Sequence, residues 1–153
     1  MGEGLMVRKK ADGAAFEHEF KKRIELQNYV KRLPTLNTGY SGLRQPADFI
    51  VVGNTFSYVE LKETAKDSFS ITGMEQLDQM KDFVRDKIAY SYAGRAAKDM
   101  RYLLIVHFIE RKTYKVLTAQ EALSLSSKGK ALHYDTEVGL SFSTLDELGG
   151  FEF

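Results

Sequence analysis

The residues best equipped for chemistry in this 153-residue chain are Asp48, Glu60 and Lys62. They flank and occupy two apolar runs, Phe49-Ile50-Val51-Val52 and Phe56-Ser57-Tyr58-Val59, separated by Gly53-Asn54-Thr55, which reads as a hairpin turn. A hairpin closed by those three residues sets Val52 opposite Phe56, Ile50 opposite Tyr58 and Asp48 opposite Glu60. Directly opposed residues have Cβ atoms about 4.5–5.5 Å apart, and like charges there are destabilising. Two carboxylates ~4 Å apart repel by about 4 kcal/mol at an effective dielectric near 20. A divalent cation offsets that repulsion, and hard oxygen ligands suit Mg²⁺, with Mn²⁺ able to substitute. Lys62 lies two residues beyond Glu60 and so projects from the same strand face. Asp, Glu and Lys converging on one spot suit metal-assisted hydrolysis of a phosphate ester. The same residues also fit the solvated face of an amphipathic hairpin with Asp48 at a strand entry. A register slip of one residue would put Asp48 and Glu60 on opposite faces.

Composition narrows the class. Net charge is +1, with 43% hydrophobic and 28% charged residues, ordinary values for one soluble domain spanning 1–153. No run of about 18 apolar residues predicts a membrane span, and the first ten residues do not look like a signal peptide. Zero cysteines exclude disulfides and thiolate metal sites, in keeping with a cytoplasmic setting. Basic clusters at Arg8-Lys9-Lys10, Lys21-Lys22-Arg23 and Lys31-Arg32 could hold a phosphate backbone or form a solvated helix face. No Walker-type loop, Ser-His-Asp arrangement or Rossmann fingerprint occurs, so no organic cofactor is expected. His18, His107 and His133 lack metal-ligand spacing and read as surface or satisfied core residues.

Several elements must position the candidate triad. Residues 14–32 read as a first helix with Phe16, Phe20, Ile24 and Val30 near one stripe, ended by Pro34. Residues 35–45 read as a polar loop. Thr72-Gly73-Met74-Glu75 matches a capping box, opening a helix to about Tyr90 that buries Leu77, Met80, Val84 and Ile88. Tyr102-Leu103-Leu104-Ile105-Val106 is the continuous apolar run of a central strand. Thr113-Tyr114-Lys115-Val116-Leu117 predicts the next strand, and Thr118-Ala119-Gln120-Glu121 a second capping box and a short helix. Leu140-Ser141-Phe142 reads as an edge strand, followed by a helical turn over 143–148. The order α-β-β-α-β-β-α predicts an α/β fold, a mixed β-sheet flanked by helices.

Four local matches together resemble the PD-(D/E)XK nuclease superfamily, and within it the RecU-type Holliday-junction resolvases. Gly13-Ala14-Ala15-Phe16-Glu17 looks like that family's Gly-x-x-x-Glu helix start, and Ala47-Asp48-Phe49 like its aspartate-aromatic strand entry. Glu60-Leu61-Lys62-Glu63-Thr64 resembles its Glu-x-Lys-Glu-Thr run. Ser68-Phe69, then Gln76 with Met80, resembles its Ser-Phe loop and Gln-bearing helix. The resemblance covers a core of about 10–120; residues 121–153 read as a C-terminal extension.

That resemblance implies a restriction-endonuclease-like core and a Mg²⁺-dependent endodeoxyribonuclease of DNA recombination and repair, acting on branched or junction DNA as a homodimer. Asp48, Glu60 and the backbone carbonyl of Leu61 would bind the metal, with Glu17 a further carboxylate of the site. A plain (i, i+4) ion pair with Lys21 is the competing role for Glu17. Lys62 would stabilise transition-state charge, since acting as a base needs a lowered pKa. Gln76 would hydrogen-bond a metal water or a phosphate, with Gln79 its neighbouring competitor. Lys9, Lys10, Lys21, Arg44, Thr64, Lys66 and Ser68 are the candidate DNA contacts, and Phe69 packs on the core. RecU-type proteins carry a long stalk where this chain has only residues 34–46; Tyr40 and Arg44 could take over its strand contacts. Other readings are a structure-selective or repair nuclease cutting flaps, nicks or single strands, and a catalytically silent DNA-binding module.

Overall fold

A computed structural model describes residues 10–34, 46–85 and 100–153. The elements are α1 (Gly13–Ile24), β1 (Tyr29–Arg32), β2 (Phe49–Val52), β3 (Phe56–Thr64), β4 (Ser68–Phe69), α2 (Leu77–Arg85), β5 (Met100–Phe108), β6 (Thr113–Thr118), α3 (Ala119–Ser127), β7 (Leu132–His133), β8 (Leu140–Phe142) and α4 (Leu145–Gly149). Six strands form one mixed sheet in the order β1-β2-β3-β5-β6-β8, while β4 and β7 pair separately. Only β3 and β5 run parallel in the large sheet; every other pairing is antiparallel. Joining two parallel strands requires a crossover, and the segment containing β4 and α2 supplies it. The expected α/β architecture is therefore the observed one.

Alternation along β3 divides the core in two. Tyr58, Tyr102, Leu104 and Val106 pack with Met80 and Phe83 of α2 and Leu125 of α3 on one face. Val59, Leu61, Leu103 and Ile105 pack with Phe16, Phe20 and Ile24 of α1 and Leu148 of α4 on the other. Among the described residues no helix is long and apolar enough to cross a membrane.

Three expectations are corrected. The first helix ends at Ile24 rather than running to residue 32: Leu26 and Gln27 N–H tighten to the Arg23 and Ile24 carbonyls, and the Asn28 side-chain amide caps the Ile24 carbonyl. Tyr29–Arg32 then forms the edge strand β1 against β2, with Val30 as its buried residue. The expected capping box at Thr72 to Glu75 does not form. Buried Ile71 and Met74 draw that segment into a turn, Met74 N–H donating to the Ile71 carbonyl, and α2 opens only at Leu77. Its buried residues are Gln79, Met80 and Phe83, so Leu77 and Val84 lie half-buried beside the stripe; Ile88 and Tyr90 lie outside the described residues.

The box at Thr118 does form, with Thr118 and Glu121 each accepting the other's backbone N–H. Residues 121–153 are no appendage to the core. Leu125, Leu132, Leu148 and Phe153 are all buried, Arg23 of α1 pairs with Asp146 at 2.9 Å, and β8 caps the sheet edge as expected. The Phe153 backbone oxygen accepts from the N–H groups of Asn54 and Thr55 at the β2–β3 turn. A Cβ on Gly53 would lie 2.5 Å from that oxygen. Gly53→Ala should therefore destabilise the chain by about 1–3 kcal/mol, read as a lowered Tm.

Candidate functional site

The β2–β3 hairpin has the expected register, with Val52 opposite Phe56 and Ile50 opposite Tyr58. Asp48 stands one residue outside the ladder. Its N–H donates to the Val59 carbonyl at 3.1 Å and its carbonyl accepts from Leu33 N–H at 2.9 Å. Alternation carries Asp48, Glu60 and Lys62 to the α2 side of the sheet, the side of Ile50 and Tyr58. There the Asp48 and Glu60 carboxyl groups lie close enough for the Asp48 charge to act on Glu60. Lys62 Nζ sits 3.4 Å from Glu60 Oε2. Glu60 is 2% exposed, a buried charged residue.

Electrostatics follow from that burial. Desolvation, then the neighbouring Asp48 charge, push Glu60 up to about 8, against the pull of Lys62. Burial also raises Asp48. The Leu61 N–H opposes this, donating to Asp48 Oδ2 at 2.9 Å. Both carboxyl groups are thus held above their ordinary range, Glu60 to about 8. A strand residue sends its N–H and C=O to the same side, so the Leu61 carbonyl also turns toward the β2 edge where Asp48 ends the strand. Two carboxylates and a carbonyl are thus gathered at one spot.

Glu17 reaches the neighbourhood from the opposite face of the sheet. Its charge acts on Asp48, yet its carboxylate is held by Arg32 of β1, with Nε 2.8 Å from Oε1. The expected competitor Lys21 instead pairs with Glu25 at 2.7 Å. Among the described residues no three His, Asp or Glu side chains are grouped to hold a metal. Glu17 is tied to the Arg32 guanidinium instead of joining Asp48 and Glu60. Arg32 would compete with a metal cation for the Glu17 carboxylate, and a part-exposed ion pair is worth up to about 1 kcal/mol. Arg32→Met should tighten Mn²⁺ binding to the DNA-free protein by up to about fivefold, measured by calorimetry.

Gln76 lies in the turn just before α2, its Oε1 buried with no hydrogen-bond partner among the described residues. Its competitor Gln79 is buried one turn further on. Thr64 ends β3 and its hydroxyl accepts from the N–H of exposed Lys66 at 3.1 Å. Ser68 pairs with His133 across β4 and β7, and Phe69 packs on the core as expected. Lys10 is exposed at the entry to α1, whereas Lys9, Tyr40 and Arg44 lie outside the described residues. His18 and His133 are exposed, and His107 is partnered by Glu63 at 2.6 Å.

Sequence reasoning missed two residues that the fold brings to this region. Arg32 was hidden because residues 29–32 read as helix. Glu63 was counted only as part of a motif. A polar residue alternating with Lys62 on a nine-residue buried strand was the available signal.

No family model and no curated protein matches this sequence. The fold is similar to that of Hjc from Archaeoglobus fulgidus, a Holliday junction resolvase from an archaeal hyperthermophile, solved at 1.6 Å. The two superpose with a TM-score of 0.54 at 16% identity, covering 88% of this chain and 98% of Hjc.

Proposed function

We propose that this protein is a Mg²⁺-dependent DNA endonuclease of the PD-(D/E)XK type and that its substrate is branched DNA, the four-way junction above all. The observation that carries this reading is buried Glu60 beside half-buried Asp48, with the Lys62 ammonium 3.4 Å from Glu60. A raised carboxylate pair is costly to keep for stability alone, and such pairs concentrate at functional sites. The donor set is all hard oxygen, which fits Mg²⁺ or Mn²⁺. The fold likeness to a junction resolvase and the RecU-like motifs support the same substrate class from separate directions.

Each residue has a role in that reading. Asp48, Glu60 and the Leu61 carbonyl hold the dication, which supplies Lewis-acid charge at the scissile phosphate. Lys62 neutralises charge developing on the phosphoryl oxygens. Glu17, exchanged from Arg32 as that cation turns to a DNA phosphate, adds a third carboxylate. Gln76 orients the attacking water by accepting from it through Oε1, unpartnered among the described residues, or holds the scissile phosphate by donating from its amide N–H. Lys9, Lys10, Lys21, Arg44, Thr64, Lys66 and Ser68 contact the backbone, so binding falls steeply with salt. Paired cuts on two symmetric strands require a two-fold dimer.

A gel assay with Mg²⁺ on four-way junction, flap, nicked duplex and single strand tests the substrate class. Paired symmetric nicks confined to the junction are the expected result. Comparable cutting of flaps would replace the junction with a broader structure-selective activity.

A further inference from the structure

The face of β3 behind the candidate site carries a second polar cluster that the hydrolytic roles do not use. Glu63 follows Lys62 and projects to the α1 side, its side chain 1% exposed. One of its oxygens accepts the backbone N–H of Asp12 at 2.9 Å, and the other lies 2.6 Å from His107 Nδ1 on β5. The His107 ring stacks on Tyr114 of β6 at 4.0 Å and 3°, and Phe16 of α1 packs on both rings. Asp12 is itself the cap of α1, its side chain accepting the Ala15 N–H at 3.1 Å. A carboxylate at this helix start is favoured by the helix dipole and satisfies a free amide.

This contact fixes the helix along its own axis. Glu17 lies five residues beyond Asp12, about 7.5 Å along a helix, and comes near enough to the sheet end for its charge to act on Asp48. Apolar packing of Phe16 and Phe20 holds α1 against the sheet but resists sliding weakly, whereas a hydrogen bond from a buried carboxylate resists it directionally.

We propose that Glu63 is a positioning residue that indexes α1 against β3, so that Glu17 meets the Asp48–Glu60 pair. The inference rests on the metal-site reading given above. It acts through Glu17 and leaves the Leu61 N–H bond to Asp48 untouched.

Mn²⁺ titration calorimetry on the full chain tests it through a double-mutant cycle. Glu63→Ala should weaken Mn²⁺ binding by about tenfold, as loss of an outer-shell support does. Glu17→Ala should weaken it comparably, and the double variant should bind no more weakly than Glu17→Ala alone. Glu63→Gln, whose amide oxygen still accepts from Asp12, should restore most of the affinity. Should Glu63→Ala fail to fold, His107→Phe keeps the ring stack and should give a smaller loss that likewise vanishes in the Glu17→Ala background. Equal losses with and without Glu17, or unchanged binding in Glu63→Ala, overturn the positioning role while the metal site stands. Asp48→Asn serves as the control: Mn²⁺ binding that it fails to abolish removes the metal site and the positioning role together.

Discussion

Asp48→Asn should lower the proposed Mg²⁺-dependent DNA cleavage by about 10³-fold or more while leaving the fold intact. The amide oxygen of Asn can still accept the Leu61 N–H that Asp48 now holds at 2.9 Å, so the β2–β3 edge keeps its hydrogen bond. Glu60→Gln should lose cleavage to the same extent with the opposite effect on stability. It removes a buried acid pushed up to about 8, and above that pH the metal-free variant should be more stable than the parent by about 1–3 kcal/mol. For a chain of this size each kcal/mol moves Tm by roughly 2–4 °C. Lys62→Met separates the remaining role: Mn²⁺ binding should persist while cleavage falls, because the ammonium acts on developing charge and not on the metal. The comparison needs cleavage rates and thermal melts on the same preparations. A Glu60→Gln variant that melts lower than the parent in chelator at pH 9 would contradict the burial account.

The pH dependence of the metal-free protein is the second large effect. Glu60 is raised in the folded state from an ordinary value near 4.5 to about 8. Between those values the unfolded chain has released its proton and the folded chain has not, so the folded state binds more protons. Stability must then fall as pH rises through this window, by up to about 1.4 kcal/mol per pH unit from this one group. Asp48, also raised, adds to the same direction at the lower end. Below about 4.5 and above about 8 the contribution of Glu60 is flat. A dication bound at this pair would displace the Glu60 proton, so Mg²⁺ or Mn²⁺ should abolish the slope and release protons on binding, most sharply below pH 8. Thermal melts in chelator and in Mg²⁺ across pH 5–9 display both curves. Parallel curves would mean that metal and proton do not compete for these carboxylates.

The hairpin was legible because strict alternation over Ile50, Val52, Phe56 and Tyr58 admits one register with both faces apolar. The continuous run at Tyr102 to Val106 gave a central strand for the same reason: burial on both faces leaves no polar position. What the sequence hid were short elements held by distant partners. Four residues of β1 present a single buried side chain, Val30, and one residue cannot distinguish a period of two from one of 3.6. Thr72 to Glu75 satisfied a local pattern, yet the burial of Ile71 and Met74 decided the conformation. The C-terminal third is built from elements of two to nine residues whose apolar partners lie a hundred residues upstream, such as Phe153 against Phe20. Site chemistry followed the same division. Asp48 and Glu60 could be paired on paper through hairpin geometry, whereas the Glu17–Arg32 pair depends on a strand that the helical reading had erased.

The most direct measurement is a crystal structure of the protein with Mn²⁺, located by its anomalous scattering. The account predicts one strong peak about 2.0–2.2 Å from carboxylate oxygens of both Asp48 and Glu60, with the Leu61 carbonyl among its ligands. A fully occupied Mn²⁺ site elsewhere in the molecule, with no density between those two side chains, would contradict it.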